Sequence, residues 1–251
     1  MITKNNINSA GGIFALFTDF IAIYTGWTLY DNISATSKVY KNTNDNQNFY
    51  LFINDANSAY AIFNLWENWD SGDHSGSGNT TGNLYCQKRS GTTCMVGDDV
   101  TFIIYCDTAD AGYGAYVGFI DPYDVTDTKA ICCSSGASSL AGNSQMFLPN
   151  HAIIKFLFGK GGASDVGGYC SGHYAGNASY NSVTEKLYIN RIAISDASDG
   201  YNIRGYAKYA YLNDYILPTG FAVGGTLTIE DKLYKLNRVP NYMYYCFLLY
   251  E

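Results

Sequence analysis

The stretch NFYLFIN at residues 48–54 constrains this chain more than any other, because it is apolar on both sides of a two-residue period. Alternation leaves Phe49, Leu51 and Ile53 on one face and Tyr50 and Phe52 on the other. A strand built this way has to be covered on both faces, as in a sandwich or an oligomer. WTLYD (27–31), SKVYKN (37–42) and SAYAIFNLW (58–66) are further short aromatic and β-branched runs, separated by Asn, Asp, Ser and Gly clusters, and together they predict consecutive antiparallel strands. DDVTFIIYCD (98–107) and GAYVGFIDP (114–122) read the same way, and HAIIKFLFGK (151–160) reads as a buried strand or a short helix. The last quarter adds EKLYINRIAISD (185–196), GYNIRGYAKYAYLND (200–214), GGTLTIEDKLYKLNR (224–238) and NYMYYCFLLYE (241–251). Glu230 and Asp231 stand at the corner of a two-residue hairpin, where Gly or Asn would serve better. The Gly, Ser, Ala and Asn tracts 134–144 and 159–182 predict long surface loops.

One segment has helical period. Over residues 9–24, Ser9 is placed to cap the helix, Ile13, Phe14, Phe17, Phe20, Ile21 and Tyr24 share one face, and Gly26 ends it. That face is expected against the edge or face of a sheet, or against a neighbouring subunit, where Phe14, Phe17 and Ile21 would be the contact anchors. The predicted architecture is mainly β: an antiparallel β-sandwich or barrel-like fold with one short N-terminal amphipathic helix and long Gly/Ser loops. It is read as a single β-rich unit over residues 1–251, with any subdivision near 95 or near 183.

Composition narrows the classes of function. Only 15% of the 251 residues are charged, against about 25% in an ordinary soluble domain, while 16% are aromatic, 24 of them tyrosine. Such a surface suits contact with protein or glycan. A formal charge of −7 opposes a sequence-independent grip on nucleic acid. Asp19 interrupts the first apolar stretch, no small-residue cleavage site follows it, and no run reaches 18 apolar residues; the expectation is a chain made in the cytoplasm without a membrane segment.

Residues with chemical potential form no recognisable constellation. The seven cysteines, Cys86, Cys94, Cys106, Cys132, Cys133, Cys170 and Cys246, contain no C-x-x-C pair, so neither a zinc site nor a disulfide framework is readable. Cys132 and Cys133 predict one buried and one exposed thiol on a strand. Cys86 and Cys94 flank QKRSGTT and are read either as a hairpin disulfide or as small buried side chains. His74 and His173 lie in Gly/Ser loops and His151 opens an apolar run; with no H-x-x-x-H spacing they are read as solvated residues, not ligands. Cys170 and His173 lack a fixed geometry for nucleophilic catalysis, no G-x-S-x-G elbow exists, and no glycine loop cradles a phosphate. Asp121, Asp124 and Asp127 in DPYDVTD are three apart, a spacing that either recruits a surface Ca²⁺ or, as preferred, marks a turn capped by Asp side chains. Asp70, Asp73, Asp121, Asp124 and Asp165 would supply a glycosidase pair, but no spacing selects two of them. The expectation is a protein with no catalytic residues, no metal and no cofactor.

Residues 61–79, AIFNLWENWDSGDHSGSGN, carry the clearest binding signal. Apolar alternation stops at Trp66, Trp69 and Asp70 close the strand, and 71–82 reads as a flexible tip. Trp66 and Trp69 are the candidate glycan platform. The competing and preferred expectation is that one tryptophan fills the core and the other covers its edge.

The helix GGIFALFTDFIAIY followed by GWTLYDNISATSKVYKNTNDNQNFYLFINDANSAYAIFNLWENWD, residues 11–70 together, resembles the front half of tailed-bacteriophage virion proteins. In those, a short helix precedes a GW-x-[L/V]-[Y/H]-D strand, then KVY or KVL, a YL or YV strand followed by Asn or Asp, and a strand ending near Y-x-x-W. INRIAISDASDGYNIRGYAKYAYLND (189–214) with GGTLTIEDKLYKLNR is similar to the β-rich ends of phage tail and head accessory proteins. The centre, 71–184, resembles neither. The resemblance implies a structural component of a tailed phage virion, tail or baseplate in preference to head, assembled in the host cytoplasm as a symmetric homo-oligomer with other virion proteins as partners. It carries over no catalytic residues. The alternatives are a capsid decoration protein, or a host-adhesion module that binds a host surface glycan through Trp66 or Trp69.

Overall fold

The computed structural model describes residues 1–44, 47–88, 90–106, 114–135, 153–160, 166–171, 180–181, 186–187, 190–200, 202–213, 222, 224–238 and 245–251. They form antiparallel sheets and one α-helix, Gly12–Ile23. A smaller sheet runs as a meander through Thr28–Ser34, Ser37–Asn44, Gln47–Asn54, Tyr60–Asp70 and Ser75–Thr80, and Leu84–Gln87 adds to the Tyr60–Asp70 strand. The larger sheet is ordered Ile2–Asn5, Thr92–Gly97, Phe102–Cys106, Gly114–Phe119, Ile131–Ser135, Ile153–Phe156, Val166–Ser171, Asn190–Asp196, Asn202–Asn213, Tyr245–Leu249, Lys232–Arg238, Thr226–Ile229. Its path stays open at both ends among the described residues, so the sandwich-like option holds and the closed barrel does not.

The layers follow from two cores that share the early strands of the larger sheet. In the first, the helix and the inner face of the smaller sheet (Phe49, Leu51, Phe63, Leu65) meet Met95, Phe102, Ile104, Val117 and Cys133. In the second, Cys94, Val96, Ile103, Tyr105, Tyr116 and Cys132 meet Ile192, Ile194, Leu236 and Leu248 from later strands of the same sheet. Neighbours along one strand therefore alternate between two dry environments. This corrects the expectation of one exposed thiol: Cys132 and Cys133 are both fully buried. Burial pushes the Cys132 thiol up to about 12 and the Cys133 thiol well above its ordinary value, which leaves both inert at neutral pH. Cys86 belongs to the first core and Cys94 to the second, so the two do not close a disulfide with each other. A boundary near 95 would fall inside the strand Thr92–Gly97, which serves both cores; position 183 lies outside the described residues.

The helix packs on its own chain. Ile13, Phe14, Leu16, Phe17 and Phe20 are buried, and the Phe17 ring lies 4.4 Å from Tyr40 and 5.3 Å from Phe102. Phe14 and Phe17 are thus core residues and Ile21 is packed against the same cluster, which leaves Phe14 and Phe17 no face for a second subunit. Ser9 is not the cap. Gly11 precedes the helix in the left-handed region (φ 75°) without a side-chain cap, and Asp55 accepts the Ile13 N–H at 2.8 Å on Oδ2 and the Gly11 N–H at 2.9 Å on its carbonyl. Lys88 Nζ stands 2.5 Å from Asp55 Oδ1 with both side chains fully buried, and donates to the Ser9 carbonyl at 2.6 Å. Gly26 does not end the helix either; Tyr24 does, and Gly26 is needed because a Cβ there would come within 2.0 Å of the Asp99 carbonyl oxygen.

The expected hairpin is present, with Ile229 opposite Lys232 and Glu230 and Asp231 at φ 49° and 61°, the twist a two-residue turn requires. HAIIKFLFGK contributes a strand, Ile153–Phe156. The tract 159–182 is not all loop, since Val166–Ser171 is a strand; residues 136–144, 161–165, 172–179 and 182 of the two loop tracts lie outside the described residues. The tip expected over 71–82 shrinks to 71–74, because Ser75–Thr80 pairs back on Tyr60–Asp70.

Candidate functional site

Regular alternation would put Trp66 and Trp69 on opposite faces of their strand. Pairing with Gln47–Asn54 stops at Trp66, and the hairpin shifts register between Trp66 and Asn68, with Gly78 at φ 77° on the return strand. Such irregularities bend a strand and re-aim its side chains. Trp69 consequently stacks on Phe52, centroids 5.6 Å apart at 15°, and meets the Trp66 ring at 6.4 Å and 67°. Phe52 pairs opposite Asn64 and Val39, and Val39 opposite Asp31, so all of these belong to the outer face of the smaller sheet, away from the first core. Tyr50 continues the tier, with the Tyr30 ring 5.0 Å from its own. Neither tryptophan fills the inter-sheet core, contrary to the preferred expectation; both are half-buried on the outer face.

Hydrogen bonds hold this tier in place. Asp31, 7% exposed, accepts the Trp69 Nε1–H at 2.9 Å on Oδ2, and His74 Nδ1 lies 2.8 Å from the same oxygen. Burial pushes the Asp31 carboxyl up, but the bonds from His74 and Trp69 and the His74 charge together outweigh it and leave it below its ordinary value. An ionised Asp31 accepts from Nδ1–H and so sets the imidazole tautomer. His74 is therefore tethered, not a freely solvated loop residue; it closes the turn at φ 50° with its side chain half exposed. Trp66 lies directly on Gly76, where a Cβ would come within 2.2 Å of the ring. Part of the Gly/Ser composition of this hairpin is thus steric. Asn64 Oδ1 accepts from Thr80 Oγ1 at 2.6 Å, and Glu67 Oε2 from the Asn79 N–H at 2.9 Å. Asp70 turns inward on its own loop, accepting the Gly72 N–H at 2.7 Å.

The three aspartates of DPYDVTD turn to different protein partners. Asp124 accepts from the Thr126 N–H and hydroxyl at 3.0 and 2.7 Å, which lowers its carboxyl pKa. Asp121 pairs with Arg191, and Asp127 accepts from Arg204 Nε at 2.7 Å and NH2 at 3.2 Å. The turn reading holds over a shared Ca²⁺ site. Arg204, 3% exposed, also donates to Asp196, at 2.9 Å, and to the carbonyls of Lys129 and Phe158, so each guanidinium nitrogen has an acceptor. This buried knot and the Asp55–Lys88 pair are absent from the sequence reading. The only local hint of the former is that Arg204 occupies the inward position of a strand while its neighbour Ile203 is 45% exposed.

His151, His173 and Asp165 lie outside the described residues. Among the described residues, no three His, Cys, Asp or Glu side chains gather as a metal site, and no helix is long and apolar enough to cross a membrane. What the outer face offers is a rigid aromatic surface with a fixed carboxylate, an arrangement suited to holding a ligand. No protein-family model matches this chain, and no curated protein matches it either.

Proposed function

We propose that the chain is a non-enzymatic structural component of a tailed bacteriophage particle, in the tail or baseplate, acting through contacts with other virion proteins and with copies of itself. One observation carries the reading. The stretch that resembles virion proteins, residues 11–70, corresponds to one unit of the fold: the helix and the first four strands of the smaller sheet, gathered around the first core. Its Gly-Trp pair has a structural task within that unit. Gly26 fits under the Asp99 carbonyl, and Trp27, 1% exposed, packs edge-on against Phe49 and Phe102 at 5.4 and 5.9 Å.

Assembly contacts then fall on side chains the fold leaves outside. Leu29, Tyr123, Val125 and Ile203 are exposed apolar groups, and the loop bearing Tyr123 and Val125 is clamped by the Arg204–Asp127 and Arg191–Asp121 pairs. Rigid aromatic anchors of this kind are what protein interfaces use. The test is labelling of purified particles with an antibody against residues 71–82, whose turn is exposed, viewed by electron microscopy, with mass spectrometry of the same sample. Label on the tail is the expected result, and label over the head points to capsid decoration. Absence of the chain from the particles overturns the reading.

A further inference from the structure

We propose that the outer face of the smaller sheet is a binding site for a neutral polysaccharide, with Trp69, Trp66 and Tyr30 as its sugar-stacking surface. The proposal goes beyond the particle assignment and does not depend on it.

On the side of the sheet away from the core the rings form two groups, Tyr30 with Tyr50 at 5.0 Å and Trp69 with Phe52 and Trp66 at 5.6 and 6.4 Å, and the register that sets Tyr50 opposite Trp66 makes the two groups neighbours. The C–H face of a pyranose packs on such rings, and its hydroxyls reach the polar groups between them. Preorganisation favours the site. Trp69 is held at three points, by its bond to Asp31, its stack on Phe52 and its contact with Trp66, and Trp66 is seated on Gly76, so little side-chain freedom is lost when a ligand arrives.

Charge selects the occupant. Asp31 sits between Trp69 and His74, and Glu67, Asp70 and Asp73 lie on the hairpin that carries both tryptophans. Lys41 stands opposite Tyr50, while Lys38 turns to the helix, its ammonium 4.8 Å over the Phe14 ring. The acidic excess repels anionic polysaccharide. A protein partner would have to cover the surface carboxylates of Glu67, Asp70 and Asp73 beside the aromatics, and acidic residues are depleted in interfaces, whereas a sugar hydroxyl donates to a carboxylate in a charge-assisted bond.

The experiment takes the full chain over an array of neutral and anionic bacterial surface polysaccharides, with affinities then measured for the members retained. The expected result is binding to a neutral member, weakened about tenfold or more in Trp69→Ala and in Tyr30→Ala, as for a central binding residue, and unchanged in Tyr123→Ala. Tyr30 is 41% exposed, so its variant keeps the fold if Trp69→Ala does not, and circular dichroism verifies each. Failure to bind any neutral polysaccharide, binding confined to anionic members, or binding indifferent to Tyr30→Ala overturns the proposal. Since the isolated chain is assayed, the result stands apart from whether the chain is found in particles.

Discussion

The two faces of the smaller sheet use the same strands to opposite ends. Inward, Phe49, Leu51, Ile53, Phe63 and Leu65 are buried to 1% exposure or less. Outward, Phe52, Trp66 and Trp69 are held at the boundary with solvent over the buried Tyr50, with the carboxylate of Asp31 bound to Trp69. Apolar alternation on both faces therefore does not by itself mean a core on each side. The distinguishing feature is chemical: aliphatic side chains and phenylalanine dominate within, while Tyr and Trp, which carry a polar handle, dominate without. The larger sheet shows the other outcome, since Ile103 and Ile104, Tyr116 and Val117, and Cys132 and Cys133 are buried pairwise in two separate cores.

This contrast sets the order of expected effects. Phe17→Asp, which puts a carboxylate between Tyr40 and Phe102, should prevent folding, a loss of more than about 4 kcal/mol visible as loss of near-ultraviolet circular dichroism. On the inner face Phe63→Ala should cost about 3–5 kcal/mol by urea denaturation, and Trp69→Ala markedly less; equal costs would make the outer face a third core. Asp55→Ala, which leaves Lys88 buried and unpaired and the helix without its cap, should cost about 3–5 kcal/mol. Combining Asp55→Leu with Lys88→Met should recover most of that loss. Trp69→Phe keeps a ring but removes the bond to Asp31, for about 1 kcal/mol.

The smallest effects separate the two buried carboxylates by sign. Asp31 has a depressed pKa, so its contribution is present above the ordinary value near 3.8 and is lost as pH falls through its folded pKa. Asp55 has a raised pKa, because burial outweighs the bonds from Lys88 and Ile13, so its contribution is full below 3.8 and is lost as pH rises through its folded pKa. The stability cost of Asp31→Asn should therefore shrink as the solution is acidified below 3.8, while that of Asp55→Asn should grow as pH falls toward 3.8. Unfolding titrations of both variants between pH 2 and 7 provide the measurement, and a common sign would refute the assigned environments.

Much of the fold was legible residue by residue. The strand runs, the apolar face of the helix through Phe14, Phe17 and Phe20, and the Glu230–Asp231 corner all rest on side-chain period or turn chemistry within a few residues. Trp66 and Trp69 were legible as candidates but not in their placement, because a register shift near Trp66 brought onto one face two residues that alternation assigns to opposite faces. His74 looked solvated because its partner, Asp31, is 43 positions away.

Local pattern, then, dictated which segments became strands and which became the helix, since backbone pairing and burial period act over neighbouring residues. Packing alone decided which faces are dry, which carboxylate caps the helix and which charges are buried. Ser9 lay nearest to the helix start, yet Asp55 caps it; Cys132 and Cys133 alternate, yet neither is wet; Arg204 takes an inward position because Asp127, 77 residues earlier, and Asp196 complete its hydrogen bonds. Each outcome depends on a surface or counter-charge contributed from elsewhere in the chain, and desolvating an apolar side chain or a charge is favourable only once that partner has arrived.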